Sequence, residues 1–206
     1  MKSIAIVGAG GNAREIAAIA RSLGYDVLGH LSEAQGKYDS PILGDFSWLE
    51  QNHVDCLAMG VGLPAAKLRL GHVLAEQFPS IEWPVLISPN ALIGENCAFA
   101  AGTVICMGAI VTVNVIVKPF SQLNFGCRVG HEVQIGEGCL VCPGANVSGG
   151  VKIGDGVWVG SGAEILQYLT VGDGVVIGSG AVVTKNVPAH ITVCGVPARE
   201  LIRNES

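Results

Sequence analysis

In RVGHEVQIGEGCLVCPGANVSGGVKIG, residues 128–154, a branched apolar residue returns every six positions: Val129, Ile135, Val141, Val147 and Ile153. The period extends in both directions. Counted in hexads from Ala91, the third position is apolar in all sixteen hexads from Ile93 to Val183. In a chain that is half hydrophobic, chance gives this about once in 10^5 trials. The first position is mostly small or Val, as at Ala109, Ser121, Cys127, Cys139 and Ala145, and glycine often takes the fourth. A six-residue apolar period fits neither an α-helix nor an isolated strand. It fits a β-solenoid in which each hexad is one short flat face and a corner.

The [LIV]-G-x-x-x-x pattern resembles the left-handed parallel β-helix of the hexapeptide-repeat transferases. In that family three hexads make one triangular coil, which implies about five coils here.

Residues 1–84 follow another rule. SIAIVG (3–8) reads as a buried strand, and GNAREIAAIARSLGY (11–25) as a helix with Gly24 as its stop. A strand at 26–31, a helix near 45–52, a strand at 54–62 and a helix at 65–78 follow. This order predicts an α/β half-Rossmann unit, a βαβαβ parallel sheet with right-handed crossovers. The expected division is 1–84 for that unit and 85–206 for the β-helix with its C-terminal tail.

Composition narrows the function. The formal net charge is −5 and no Lys/Arg run occurs, which argues against nucleic-acid binding. No apolar stretch is long enough to span a membrane, and the N-terminus lacks a signal-peptide pattern, so the expectation is a soluble cytoplasmic protein. Seven cysteines, an odd number, argue against a disulfide framework. The lone C-x-x-C at Cys139 and Cys142 reads as buried small thiols, and no metal is expected.

GAGGNA (8–13) runs from a strand into a helix, the G-x-G-x-x-A turn whose amides favour phosphate. Glu33 lies about 20 residues further on, where a dinucleotide enzyme places its ribose acid. Only one mononucleotide-binding half precedes the repeat, which fits a nucleotide-linked sugar better than NAD; a mainly structural βαβ unit stays open. The candidate contacts are Gly8, Gly10, Gly11, Asn12, Ser32, Glu33, Gly60 and Val61.

His131 stands at a fifth hexad position, and no other histidine falls between 91 and 186. If first and third positions point inward, its imidazole points outward. Glu132 adjoins it, a carboxylate able to orient or stabilise the ring. Gly149 and Gly150 follow one 18-residue coil later, so they stack beside the pair. A backbone free of side chains there allows close approach of a ligand carbonyl to an N–H donor.

LNFGCRVGHEVQIGEGCLVCPGANVSGGVKIGDG (123–156), GSGAVVTKNVP (178–188), VCGVPARE (193–200) and IVGAGGNAREIA (6–17) resemble the bacterial sugar acyltransferases that include sialic acid O-acetyltransferase and UDP-4-amino-sugar N-acetyltransferase. The resemblance spans essentially the whole chain. It implies His131 as general base, assisted by Glu132, with direct attack on the acetyl-CoA thioester and the Gly149 amide holding the acetyl oxygen. It implies CoA in a groove between subunits of a homotrimer, with Gly150, Gly162, Gly180, Lys185 and Arg199 along its path, the last two toward phosphate. Asn124 would lie in the acceptor pocket. The sequence departs from the family at Asn12, where a histidine is common, at Ser32–Glu33, where an acidic pair is common, at Leu140, where some members carry a second histidine, and at Gln167–Tyr168, where Pro-Gly is common.

Three readings follow: an N-acetyltransferase on a nucleotide-linked amino sugar in surface-glycan synthesis, an O-acetyltransferase on sialic acid or a related sugar, and a non-catalytic solenoid scaffold. A zinc hydratase on the same β-helix would need three ligand histidines, and the repeat offers His131 with His190 beyond its last coil.

Overall fold

The computed structural model describes residues 1–33 and 41–202; the last four residues of the expected β-helix and tail unit fall outside the described residues. The N-terminal unit has β1 (Ser3–Val7), α1 (Gly11–Ser22), β2 (Asp26–Leu31), β3 (Ile42–Gly44), α2 (Trp48–Gln51), β4 (Cys56–Met59) and α3 (Pro64–Gln77). The strands form one parallel sheet in the order β3-β2-β1-β4. Helix α1 buries Ala13, Ile16, Ala17, Ile19 and Ala20, the helical-period stripe read from the sequence. Gly24, with φ +83°, follows its end. β3 is an addition, since three residues are too few to show a period. α2 is shorter than its predicted 45–52 because Asp45 accepts from the N–H and Oγ of Ser47 in a preceding turn, at 2.9 and 2.6 Å.

From Leu86 onward two-residue strands recur every six residues and pair in parallel with the strand 18 residues later, as Leu123 with Val141. They form the three faces of a β-helix, with sheets of eight, six and five strands. The ladder begins one hexad before Ala91 and continues to Thr192–Cys194. The coil count is therefore about six rather than five. The first and third hexad positions fill the interior: Ala109, Val111, Cys127, Val129, Ala145, Val147, Ala163 and Ile165 are all at most 1% exposed.

The sixth hexad position carries a signal not read from the sequence. It is left-handed at every corner from Asn96 to Gly180. Glycine fills most of these places, because a side chain there costs about 1 kcal/mol or more. Asn96, Asn114, Phe120, Glu132 and Tyr168 are the exceptions.

The N-terminal unit sits on the outside of the eight-stranded face. Second hexad positions normally point to solvent, yet Leu86, Val104, Gln122 and Leu140 are all at most 4% exposed. Leu86, Val104 and Cys106 join the core of α1 and β1, while Phe120 joins that of Leu57, Leu74 and Trp83. Phe120 meets Trp83 edge to face at 5.0 Å. On α3, Gly71 leaves room for the Phe120 ring, which lies 2.7 Å from where a Cβ would be.

Lys67 of α3 is 1% exposed at this junction, and among the described residues its Nζ reaches only the Cys139 carbonyl, at 3.5 Å. Burial pushes its ammonium down from 10.5 to about 8, against smaller opposing effects of Cys139, Cys106 and Cys142. The thiols of Cys139 and Cys142 are themselves raised by burial to about 11. A lysine whose folded pKa lies below its unfolded one is protonated more in the unfolded chain between pH 8 and 10.5. Its contribution to stability therefore rises through that window and is flat below it. Relative to Lys67→Met, the wild type should gain on the order of 3 kcal/mol of unfolding free energy from pH 8 to 10.5, and the variant should be the more stable at pH 7. Taking the difference removes most of the thiol contribution, which opposes the trend above pH 9 in both proteins. Urea unfolding across that range measures it, and parallel curves would contradict it.

Candidate active site

His131 and Glu132 stand at the corner between the strands Arg128–Val129 and Gln134–Ile135. Their side chains are 51% and 61% exposed, so the histidine does point outward. His131 Nδ1 lies 3.6 Å from a Glu132 carboxylate oxygen, close enough for electrostatic support and too long for a hydrogen bond.

The corner is set by a backbone ladder. Glu132 N–H donates to Val113 C=O at 3.0 Å, Gly150 N–H to His131 C=O at 2.8 Å, and Tyr168 N–H to Gly149 C=O at 2.9 Å. Each link ties one coil to the next, so His131–Glu132, Gly149–Gly150 and Gln167–Tyr168 form one column. Gly149 lies under the imidazole; a Cβ there would collide with the ring, with Cε1 at 2.5 Å. Gly130 is needed for the same reason, since its Cβ would come 2.6 Å from the Gly149 nitrogen. Among the described residues the Gly149 N–H donates to no acceptor, although the residue is buried. An imidazole and an amide donor without a partner among the described residues thus meet at one corner, groups of the kinds that can take a proton and hold an oxyanion.

Gly162 and Gly180 occupy a different corner, separated from Gly149 by a face of the triangle, and the space where their Cβ atoms would project is open. Lys185 and Arg199 come together at the C-terminal end, where both line one cavity of about 310 Å³ that Glu200 also borders. Asn124 is 7% exposed where the chain enters the corner column of Gly162 and Gly180, and its Oδ1 accepts the Phe125 N–H at 2.8 Å. Phe125 lines a separate apolar pocket with Ile19, Cys106 and Met107.

The glycine turn, Gly60–Val61 and Ser32 gather at the C-terminal edge of the parallel sheet, where open α/β sheets bind ligands. Gly8 has φ +99° and donates to Leu31 C=O at 2.7 Å. α1 begins after Gly10 with no side-chain cap, and Cβ positions at Gly10 and Gly11 meet only open space or an arginine tip. Its first amides therefore present a positive end. Gly60 is fixed by packing, since a Cβ would come 2.6 Å from that of Ala13. Glu33 is exposed at the end of the described stretch.

Asn12 is held differently from its neighbours. Its Nδ2 donates to Gly60 C=O at 3.0 Å and to Gln122 Oε1 at 3.1 Å, while its Oδ1 accepts from Gln122 Nε2 at 2.8 Å. This amide pair joins the glycine turn to the β-helix. Gln122 is the functional neighbour that the sequence reading missed; its signal is the outward column Leu86, Val104, Gln122, Leu140 at 18-residue spacing. Also missed is the strap from His72 of α3 to Glu137, at 2.6 Å.

Among the described residues no group of three or more His, Cys, Asp or Glu side chains is arranged to hold a metal ion, and no helix is long and apolar enough to cross a membrane.

Gly149→Ala should leave the β-helix folded and push the imidazole off the corner. Nitrogen NMR of His131 and circular dichroism would check this. An unmoved ring signal would contradict the stacking.

Residues 150–185 match the family model described as bacterial transferase hexapeptide (six repeats). No curated protein matches the chain. Among solved structures, the acetyltransferase domain of PglB from Neisseria gonorrhoeae is 28% identical, with 98% of this chain and 100% of that one covered and a TM-score of 0.79. WeeI from Acinetobacter baumannii is 24% identical over 98% and 100% of the two chains, with a TM-score of 0.88. PerB from Caulobacter crescentus, solved with CoA and GDP-perosamine, is 22% identical over 98% of each chain, with a TM-score of 0.91. With the hexapeptide repeat, the two-part architecture and this near full-length likeness in hand, the chain is similar in sequence repeat and fold to the hexapeptide-repeat sugar acetyltransferases of bacteria.

Proposed function

We propose that the protein is an acetyl-CoA-dependent N-acetyltransferase acting on the amino group of a nucleotide-linked amino sugar, in surface-glycan biosynthesis. The observation that carries the reading is the His131 imidazole lying on the Gly149 backbone, beside an amide with no acceptor. The likeness to a PglB domain crystallised with acetyl coenzyme A, at 29% identity, supports the cosubstrate. A likeness to the Caulobacter fold, seen with CoA and GDP-perosamine, fits a nucleotide-sugar acceptor.

In this mechanism His131 takes a proton from the acceptor amine as its nitrogen attacks the thioester carbonyl carbon. The C–N bond forms, the carbonyl oxygen becomes an oxyanion at the Gly149 amide, and Glu132 supports the imidazolium. Collapse breaks the C–S bond, and the CoA sulfur leaves with the proton that His131 returns. No acyl-enzyme forms. Gly150 belongs to the same corner and lets the thioester approach the backbone.

Residues 1–84 hold the nucleotide: Gly8, Gly10 and Gly11 present amides to phosphate, Gly60, Val61, Ser32 and Glu33 border it, and Asn12 anchors the turn. Residues 85–206 hold acetyl-CoA, with Asn124 on the acceptor side. Lys185 and Arg199, which share one cavity, take a CoA phosphate. Gly162 and Gly180 lie on another corner from Gly149, so one extended CoA reaches both sets only if the corner of one subunit faces a different corner of its neighbour. That geometry favours a homotrimer with active sites between subunits.

The test is acetyl-CoA-dependent thiol release with UDP- and GDP-linked 4-amino sugars and with sialic acid. Release on an amino sugar is expected, falling on the order of 10²-fold or more in His131→Ala while the fold is kept. Release with sialic acid alone would replace this reading with O-acetylation. A folded protein that neither releases thiol nor binds CoA would make the solenoid a scaffold.

A further inference from the structure

Two aromatic residues in the β-helix adopt the left-handed conformation, Phe120 at φ 57° and Tyr168 at φ 59°. Such a backbone is strained for a bulky residue and persists where something else favours it. For Phe120 the compensation is visible: the ring is 5% exposed and packs against Trp83 and over Gly71 and Gly102. Tyr168 is 70% exposed. Its packing explains little of the strain, and glycine holds the same position one coil earlier.

Its place in the column matters. The Gly149–Gly150 backbone is flanked from two sides, by the His131 ring against Gly149 and by the Tyr168 ring against Gly150. A Cβ on Gly150 would come 2.6 Å from Tyr168 Cε1. The ring therefore stands beside the amide that meets the thioester. The acceptor must approach from the His131 side, where its proton is taken. A carbonyl held at Gly149 then has its sulfur and its acyl carbon on either side of the line of attack, and the tyrosine ring closes the side toward the next coil.

We propose that Tyr168 is a specificity-determining residue that sets the acyl length, admitting acetyl and excluding longer chains; this rests on the acyl-CoA reading above. The strained backbone holds the ring at the corner as a wall.

The experiment is calorimetric binding of free CoA, acetyl-CoA and butyryl-CoA to wild type, Tyr168→Gly and Tyr168→Phe, with melting temperature and oligomeric state measured alongside. Wild type should bind acetyl-CoA about tenfold or more tighter than butyryl-CoA, a ratio typical of excluding one or two methylenes. Tyr168→Gly should bring the ratio near one without loss of folding, since glycine suits the conformation. Tyr168→Phe should keep the preference. A wild type that binds acetyl-CoA, with an unchanged ratio in Tyr168→Gly, would overturn the role of Tyr168 alone. A change of oligomeric state in Tyr168→Gly would also overturn it, making the ring an interface residue. Absence of binding to all three by wild type would instead contradict the acyl-CoA reading.

Discussion

Each corner of the β-helix hangs on one hydrogen bond, from the sixth-position N–H of a hexad to the fifth-position C=O one coil earlier. It recurs from Asn114 to Gly180 and includes Glu132, Gly150 and Tyr168. The bond requires a left-handed sixth residue, and it locks residues 18 apart into register at the strand spacing of about 4.8 Å. That register places Gly149 under His131. A shift of one residue would bring there either the Ser148 side chain or Gly150, whose amide is already bonded to His131 C=O.

The second constraint is how the α/β unit is seated. Apolar and amide groups pointing outward from one face of the triangle convert a solvent-facing wall into a buried junction. Asn12 and Gln122 satisfy each other across it, as buried amides must. The junction ties the glycine turn to the repeat through Asn12 and Gln122. Lys67 is the exception to this economy. It is a buried cation with a single long contact among the described residues, and its burial destabilises the charged form.

Much of this was legible in the sequence. The inward first and third positions and the outward fifth position of His131 follow from the period, and the 18-residue step to Gly149 from the three-hexad coil of the family that the repeat resembles. The βαβ reading of the first half follows from Ile16, Ala17 and Ala20 on one helix face and from the glycine turn. What the period could not show depends on tertiary contact. Gln122 reads as an exposed polar residue until a second unit covers it. Ile42–Gly44 is too short to show an alternation. Asn12 reads as a ligand contact, whereas its amide is engaged with Gly60 and Gln122. The left-handed sixth position was present as a column of glycines, and its meaning emerges only when four of the five exceptions, Asn96, Asn114, Glu132 and Tyr168, are seen to fall on one corner.

The corner brings together a half-exposed imidazole, a supporting carboxylate and an amide without an acceptor, on a fold that sugar acetyltransferases share. The most direct measurement is the carbon NMR shift of acetyl-CoA labelled at the thioester carbonyl, free and bound to the protein. Donation from the Gly149 amide polarises the carbonyl, so the resonance should move downfield on binding. A bound resonance at the position of free acetyl-CoA would mean that the carbonyl does not meet this corner, and the assignment of the active site to it would be wrong.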